Sequence, residues 1–163
     1  MTRPPGASPA SEGRGPGRPD VSGTLIGFDF GERRIGVAVG ETATGIASPL
    51  TTIDTPATAA RLDAISKLVR EWRPVAFVVG LPRYPDGAEH PVAKLAGKFA
   101  RRLEAQHQVP VVFVDETLTS AAAGQSLRES GTRAARAGEI DAVAAAIILQ
   151  SFLDAREPGA PSR

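Results

Sequence analysis

The sequence predicts one α/β domain built on a five-stranded mixed sheet, an antiparallel meander followed by parallel strands, with helices on both faces. Three observations carry this. Apolar runs with period-two character fill the first third of the folded region and are joined by short connections. From Leu62 onward the apolar spacing switches to that of a helix. Two short continuous apolar runs, Val75–Val79 and Val111–Val114, then alternate with helical patterns, as buried parallel strands do.

Each element follows from its residues. Gly23 to Phe30 reads as a strand and Gly31 to Arg34 as a turn. Ile35 to Val39 is a second strand in which Ile35, Val37 and Val39 alternate with Gly36, Ala38 and Gly40, leaving one face nearly bare. A third strand lies within Gly45 to Ile53. Leu62, Ile65, Leu68, Val69 and Trp72 mark one face of a helix ended by Pro74. Val75 to Val79 is a strand closed by Gly80, and Leu81 to Gly87 is a loop rich in turn residues. Val92, Leu95, Phe99 and Leu103 mark the next helix, and Val111 to Val114 the fifth strand. Thr119 caps a short helix running to about Glu129, and Ser130 to Gly138 is a flexible, basic connection. Asp141 opens the last helix, whose apolar residues Val143, Ile147, Ile148 and Phe152 cover more than one stripe.

The chain has 163 residues, 42% of them hydrophobic, which suits a single core spanning residues 23–155. Residues 1–22 form a Pro/Gly/Arg-rich tail with little to bury, and 156–163 a flexible C-terminal tail, both expected to be disordered. No stretch resembles a signal h-region or a membrane span, so the expected location is the cytoplasm, with no membrane partner. Absence of cysteine excludes disulfides, thiolate zinc sites and cysteine nucleophiles, and His90 and His107 are too few for a histidine-rich zinc site. A net charge of +1 neither demands nor forbids nucleic acid.

Chemistry centres on three acids. Asp29 interrupts the apolar run Leu25 to Phe30, where a carboxylate loses hydration and needs a donor, a cation or a metal. Glu116 follows the fifth strand, with Asp115 beside it on the opposite face, and Asp141 stands at the last helix. Singly, each has an ordinary reading: a turn aspartate, a surface acid, a helix-start acid. Together they lie where strand ends and a helix start converge on one sheet edge. Shared carboxylates at such an edge hold Mg2+ or Mn2+, which activate water and stabilise the leaving oxygen of a phosphodiester.

The motifs Gly27-Phe28-Asp29-Phe30-Gly31, Ile35-Gly36-Val37-Ala38, Gly80-Leu81-Pro82 with Asp86-Gly87, Asp115-Glu116, and Asp141 before Ala144-Ala145-Ala146-Ile147-Ile148-Leu149 resemble the YqgF family from about Gly23 to Leu153. That family carries the names Holliday junction resolvase-like protein and pre-16S rRNA nuclease. The resemblance implies a ribonuclease H-like fold and metal-dependent phosphodiester hydrolysis leaving a 5′-phosphate and a 3′-hydroxyl. It assigns catalytic and metal-ligating roles to Asp29, Glu116 and Asp141. The chain departs from the family pattern at Thr117, where Arg is common, and at Ala137, where Lys is common. Ala144 and Ala145 stand where related junction resolvases carry a fourth acid.

Arg33 and Arg34, in the turn beyond Asp29, and Arg83, in the fourth-strand loop, are candidate phosphate contacts, and Tyr84 beside Arg83 is a candidate to stack on a base. Arg128, Arg133 and Arg136 form the densest basic patch near Asp141. Trp72, Phe77, Phe99 and Phe152 fall on apolar stripes and are expected in the core.

The leading expectation is an endonuclease processing the 5′ end of pre-16S rRNA, with nucleic acid and a ribosomal precursor particle as partners and a monomeric or homodimeric state. A Holliday junction resolvase uses the same acids and calls for a dimer. A non-catalytic RNA-binding factor predicts binding without cleavage. Asp29-Phe30-Gly31 before Gly36 also looks like the first phosphate loop of the actin and sugar-kinase group, but that group encloses ATP between two lobes and this length suits one. The protein-kinase metal motif is excluded because no glycine-rich loop precedes Asp29.

Overall fold

The computed structural model describes residues 22–82, 90–115 and 137–156. Strands β1 (Thr24–Phe30), β2 (Ile35–Glu41) and β3 (Ile46–Ile53) form the meander, followed by helix α1 (Thr58–Trp72), β4 (Ala76–Leu81), α2 (Pro91–His107), β5 (Val111–Asp115) and α3 (Ala137–Ala155). They make one five-stranded sheet in the order β3-β2-β1-β4-β5. β1, β2 and β3 pair antiparallel, whereas β4 pairs parallel with both β1 and β5. This is the mixed sheet the residue pattern predicts. The expected terminal tails apart from Ser22 and Arg156, and the expected helix from Thr119, lie outside the described residues.

Period-two alternation assigns each strand residue to a layer. Ile26, Phe28, Phe30, Ile35, Val37, Phe77 and Val79 face α1 and α2, packing on Ile65, Phe99 and Leu103. The Phe28 and Phe99 rings meet edge-on at 5.9 Å, and Phe30 lies 5.2 Å from Phe99. Leu25, Ala38, Ala76, Val78 and Val112 face the other way and are covered by Ala145, Ile148, Leu149, Phe152 and Leu153 of α3. Phe77, Phe99 and Phe152 are buried as expected, and Trp72 packs against the first layer.

The strand face that the sequence leaves bare is where α3 lies. A Cβ at Gly36 would stand 1.9 Å from the carbonyl oxygen of Asp141, and one at Gly27 would stand 2.9 Å from Leu149 Cβ. Only glycine lets the helix backbone come this close. Gln150 fixes the helix lengthwise: its Oε1 accepts from Ala47 N at 2.9 Å and its Nε2 donates to Gly45 O at 2.8 Å. β3 is an edge strand carrying Pro49, and the β2–β3 register shifts between Val37 and Ala38.

Some element boundaries differ from the sequence expectation: β2 runs on to Glu41 and β5 to Asp115. β4 continues through Gly80 to Leu81, because β5 pairs with both residues. α1, by contrast, ends at Trp72 as expected, with Arg73 in the left-handed region just before Pro74 and its N–H returning to Val69 O. α3 begins at Ala137, so Asp141 does not open the helix. The first-turn acid is Glu139, and Asp141 lies two residues beyond it, in the second turn. The preference of aspartate for helix starts misplaced the boundary.

Both histidines are structural. His90 is the N-cap of α2, its Nδ1 accepting from Val92 N at 3.1 Å. His107 ends α2 against Phe77, with ring centroids 6.0 Å apart, and burial pushes its pKa below the usual imidazole value. Unfolding therefore takes up a proton between the two values. Stability is expected to be flat above pH ~6.5 and to fall as pH drops from there towards the folded pKa. Urea denaturation across this range should show that slope, and His107→Phe should flatten it. Gly36→Ala is expected to cost about 3 kcal/mol or more, the upper end for overpacking, because its neighbour is helix backbone that no rotamer can relieve. Chemical denaturation of the variant checks this, and a loss below about 1 kcal/mol would mean that α3 is not seated on Gly36.

Candidate active site

Asp29 is the penultimate residue of β1 and is half-buried. Alternation from Leu25 and Gly27 directs it to the α3 side of the sheet, and its cross-strand partner is Gly36. Paired residues on antiparallel strands share a face. The main chain of Asp141 rests on that same Gly36. Two residues 112 positions apart in sequence (141 − 29) are thus brought to one spot at the end of β1. The glycine between them is what permits the approach.

Arg34 comes from the turn between β1 and β2. Its Nε donates to Asp141 Oδ2 at 2.8 Å, and both side chains are partly buried. The hydrogen bond to Asp141 and that carboxylate's charge raise the Arg34 pKa above its usual value. The neighbouring Arg33 is exposed. Of the two turn arginines expected to meet phosphate, one is solvent-facing and the other holds an acid of the site.

The turn itself is anchored from behind by a residue that the sequence reading did not single out. Arg61 of α1 is only 5% exposed, donates from Nε to Thr55 O at 2.6 Å and from Nη2 to Gly31 O at 2.7 Å, and lies 5.3 Å from the centre of the Phe30 ring. Burial lowers its pKa. The signal was present: Arg61 lies four residues before Ile65, on the stripe that Ile65 and Val69 continue. An arginine in an apolar stripe has a backbone or an acid to bind.

Asp115 pairs with Leu81, whose side chain packs in the α1/α2 layer, so Asp115 faces away from Asp29 as expected. Glu116, Thr117, Arg83, Tyr84, Arg128, Arg133 and Arg136 lie outside the described residues. Among the described residues, no group of three or more His, Cys, Asp or Glu side chains is placed to hold a metal ion. Asp29 and Asp141 are the two of the expected acids whose positions are described. Hard oxygen donors of this kind suit Mg2+ or Mn2+ better than softer metals.

Residues 23–155 match the family model described as "RuvX: Holliday junction resolvase". A protein of Methylobacillus flagellatus named "Putative pre-16S rRNA nuclease" is 52% identical over 133 residues, covering 81% of this chain and 91% of that protein. A namesake in Thiobacillus denitrificans is 50% identical over 135 residues, covering 82% and 93%. Among solved structures, T. thermophilus RuvC in complex with a Holliday junction substrate superposes with a TM-score of 0.52 at 19% identity, covering 83% of this chain and 96% of that one. The yeast mitochondrial Holliday junction resolvase Ydc2 gives 0.55 at 10% identity, covering 84% and 80%. At such low identity these two structures speak for the fold, which is ribonuclease H-like. The family match spans most of the chain, and the relatives are identical at about half of the aligned positions: the chain belongs to the RuvX/YqgF family.

Proposed function

We propose that this protein is a divalent-metal-dependent endonuclease that hydrolyses phosphodiester bonds at the 5′ end of pre-16S rRNA. The observation that carries this reading is the meeting of Asp29 and the Asp141 backbone across Gly36 at the end of β1. Two aspartates brought to one spot favour a shared cation over two independent surface roles. The RNA substrate is supported by identity to relatives that carry the pre-16S rRNA nuclease name.

Asp29, Glu116 and Asp141 are the residues that would hold the metal. Glu116 enters on the family resemblance and on its place directly after Asp115 in sequence. A bound divalent metal supplies Lewis acidity and a water acidified towards neutrality. The protein's own contribution is orientation. α3 fixes Asp141, the β1–β2 pair fixes Asp29, and Arg34 neutralises Asp141 while no stronger cation is there. Arg34 is then free to turn to a substrate phosphate, with Arg33, Arg83, Arg128, Arg133 and Arg136 as further backbone contacts. Such contacts read backbone shape and not base sequence.

Purified protein is expected to cut a 5′-extended small-subunit rRNA precursor with Mn2+ or Mg2+. Asp29→Asn should lower the rate by about 100-fold or more, since a lost ligand costs at least as much as a lost outer partner. Symmetric cutting of a mobile four-way DNA junction, with the RNA intact, would replace this reading with a junction resolvase, as the family model's description suggests. RNA binding undiminished in Asp29→Asn, with no cleavage of either substrate by the native protein, would leave a binding factor. Arg34→Ala is expected to tighten Mn2+ binding roughly two- to fivefold by calorimetry, because it removes a competing cation. Weaker Mn2+ binding in that variant would mean that Arg34 orients Asp141 for the metal.

A further inference from the structure

On the sheet face opposite α3 lies a cavity of about 490 Å3 between α1, α2 and the turn that follows Asp29, within the range of small-ligand sites. Its chemistry is divided. Phe30 and Phe99, both nearly buried, and Leu95, which is 40% exposed on α2, supply apolar walls. Lys98 and Arg102 line it as well, two exposed cations against the single acid Glu32, whereas Arg61, also in the lining, is already bound to Thr55 O and Gly31 O. Pro56 and Thr58 bring the start of α1 to the same cavity. That helix start has Ala57 as N-cap with no side-chain cap, and its first turn holds no acid. Its amides therefore add positive potential where the cations already cluster.

We propose that this cavity binds a nucleotide, with the base against Phe30, Phe99 and Leu95 and the phosphate on Lys98, Arg102 and the α1 start. An anion alone has no use for the apolar walls, and an apolar ligand alone has no use for the cations. A nucleoside phosphate uses both. Exposed Leu95 then has a reason to stand beside Lys98 and Arg102. Location favours the same ligand: Glu32 lines the cavity, while Arg34, two residues on, reaches Asp141 on the other face. One short turn thus separates the cavity from the candidate active site. The nucleotide is either free or one unit of a strand that passes over this turn. The inference goes beyond the nuclease reading and does not require cleavage.

Calorimetry on the full chain tests it with three probes: a 5′-mononucleotide, inorganic phosphate, and a short single-stranded 5′-phosphorylated RNA titrated into Asp29→Asn protein so that cleavage cannot interfere. Lys98→Glu/Arg102→Glu, both on the exposed face of α2, is expected to weaken mononucleotide binding roughly tenfold or more with an unchanged melting temperature. Leu95→Ala should weaken the mononucleotide and leave inorganic phosphate unaffected. If only the RNA binds and only the RNA is weakened by the double variant, the nucleotide is strand-borne and the site stands. Mononucleotide and RNA binding both unaffected by the double variant would overturn the proposal, as would inorganic phosphate binding as tightly as the mononucleotide. None of these outcomes depends on whether native protein cuts RNA, so the two readings fail separately.

Discussion

The seating of α3 on Gly36 is the contact on which the rest of the site depends. Strand β2 is small on one face, and the helix main chain fills that space at the level of Asp29. Helix position and acid position are thereby one variable. Movement of α3 by the thickness of a methyl group separates Asp141 from Asp29, and repacking elsewhere cannot restore it. Gln150 acts along the same helix at its far end, tying it to the backbone around the β2–β3 turn. The site is held at both ends of a rigid rod and not by its own loop alone.

Two arginines stabilise the turn between these strands in different ways. Arg61 is buried and binds backbone carbonyls, so its charge serves shape. Arg34 is partly exposed and binds a carboxylate, so its charge can be exchanged for another cation. A charge in a wet position is cheap to move, whereas a desolvated one is not. The turn is therefore fixed in its backbone while one of its side chains stays free to change partner.

Much of this was legible in the residues. Alternation located the strands of the meander, continuous apolar runs located β4 and β5, and the change of period located α1 and α2. Gly36, Ala38 and Gly40 announced a bare strand face, but not that a helix from the other end of the chain would cover it. Sequence spacing carries no record of long-range contact. Asp141 is legible in the sequence as a candidate acid, but its depth within α3 is not, since capping preference is a weak local bias that a strongly apolar helix extends past. Arg61 is legible only through its place in an apolar stripe, a subtler signal than an arginine in a turn. Asp29 stands out as a candidate from the residues alone, because a carboxylate inside Leu25 to Phe30 has few ordinary explanations.

The outer edge of β3 carries a consequence for how this protein behaves at high concentration. Ala47 has given its N–H to Gln150, and two residues on Pro49 has none to give. An incoming strand would meet a stretch of edge with its donors spent or missing, which is how sheet proteins resist growing into one another. The glutamine that aligns the helix of the site thus also helps to keep the sheet from polymerising.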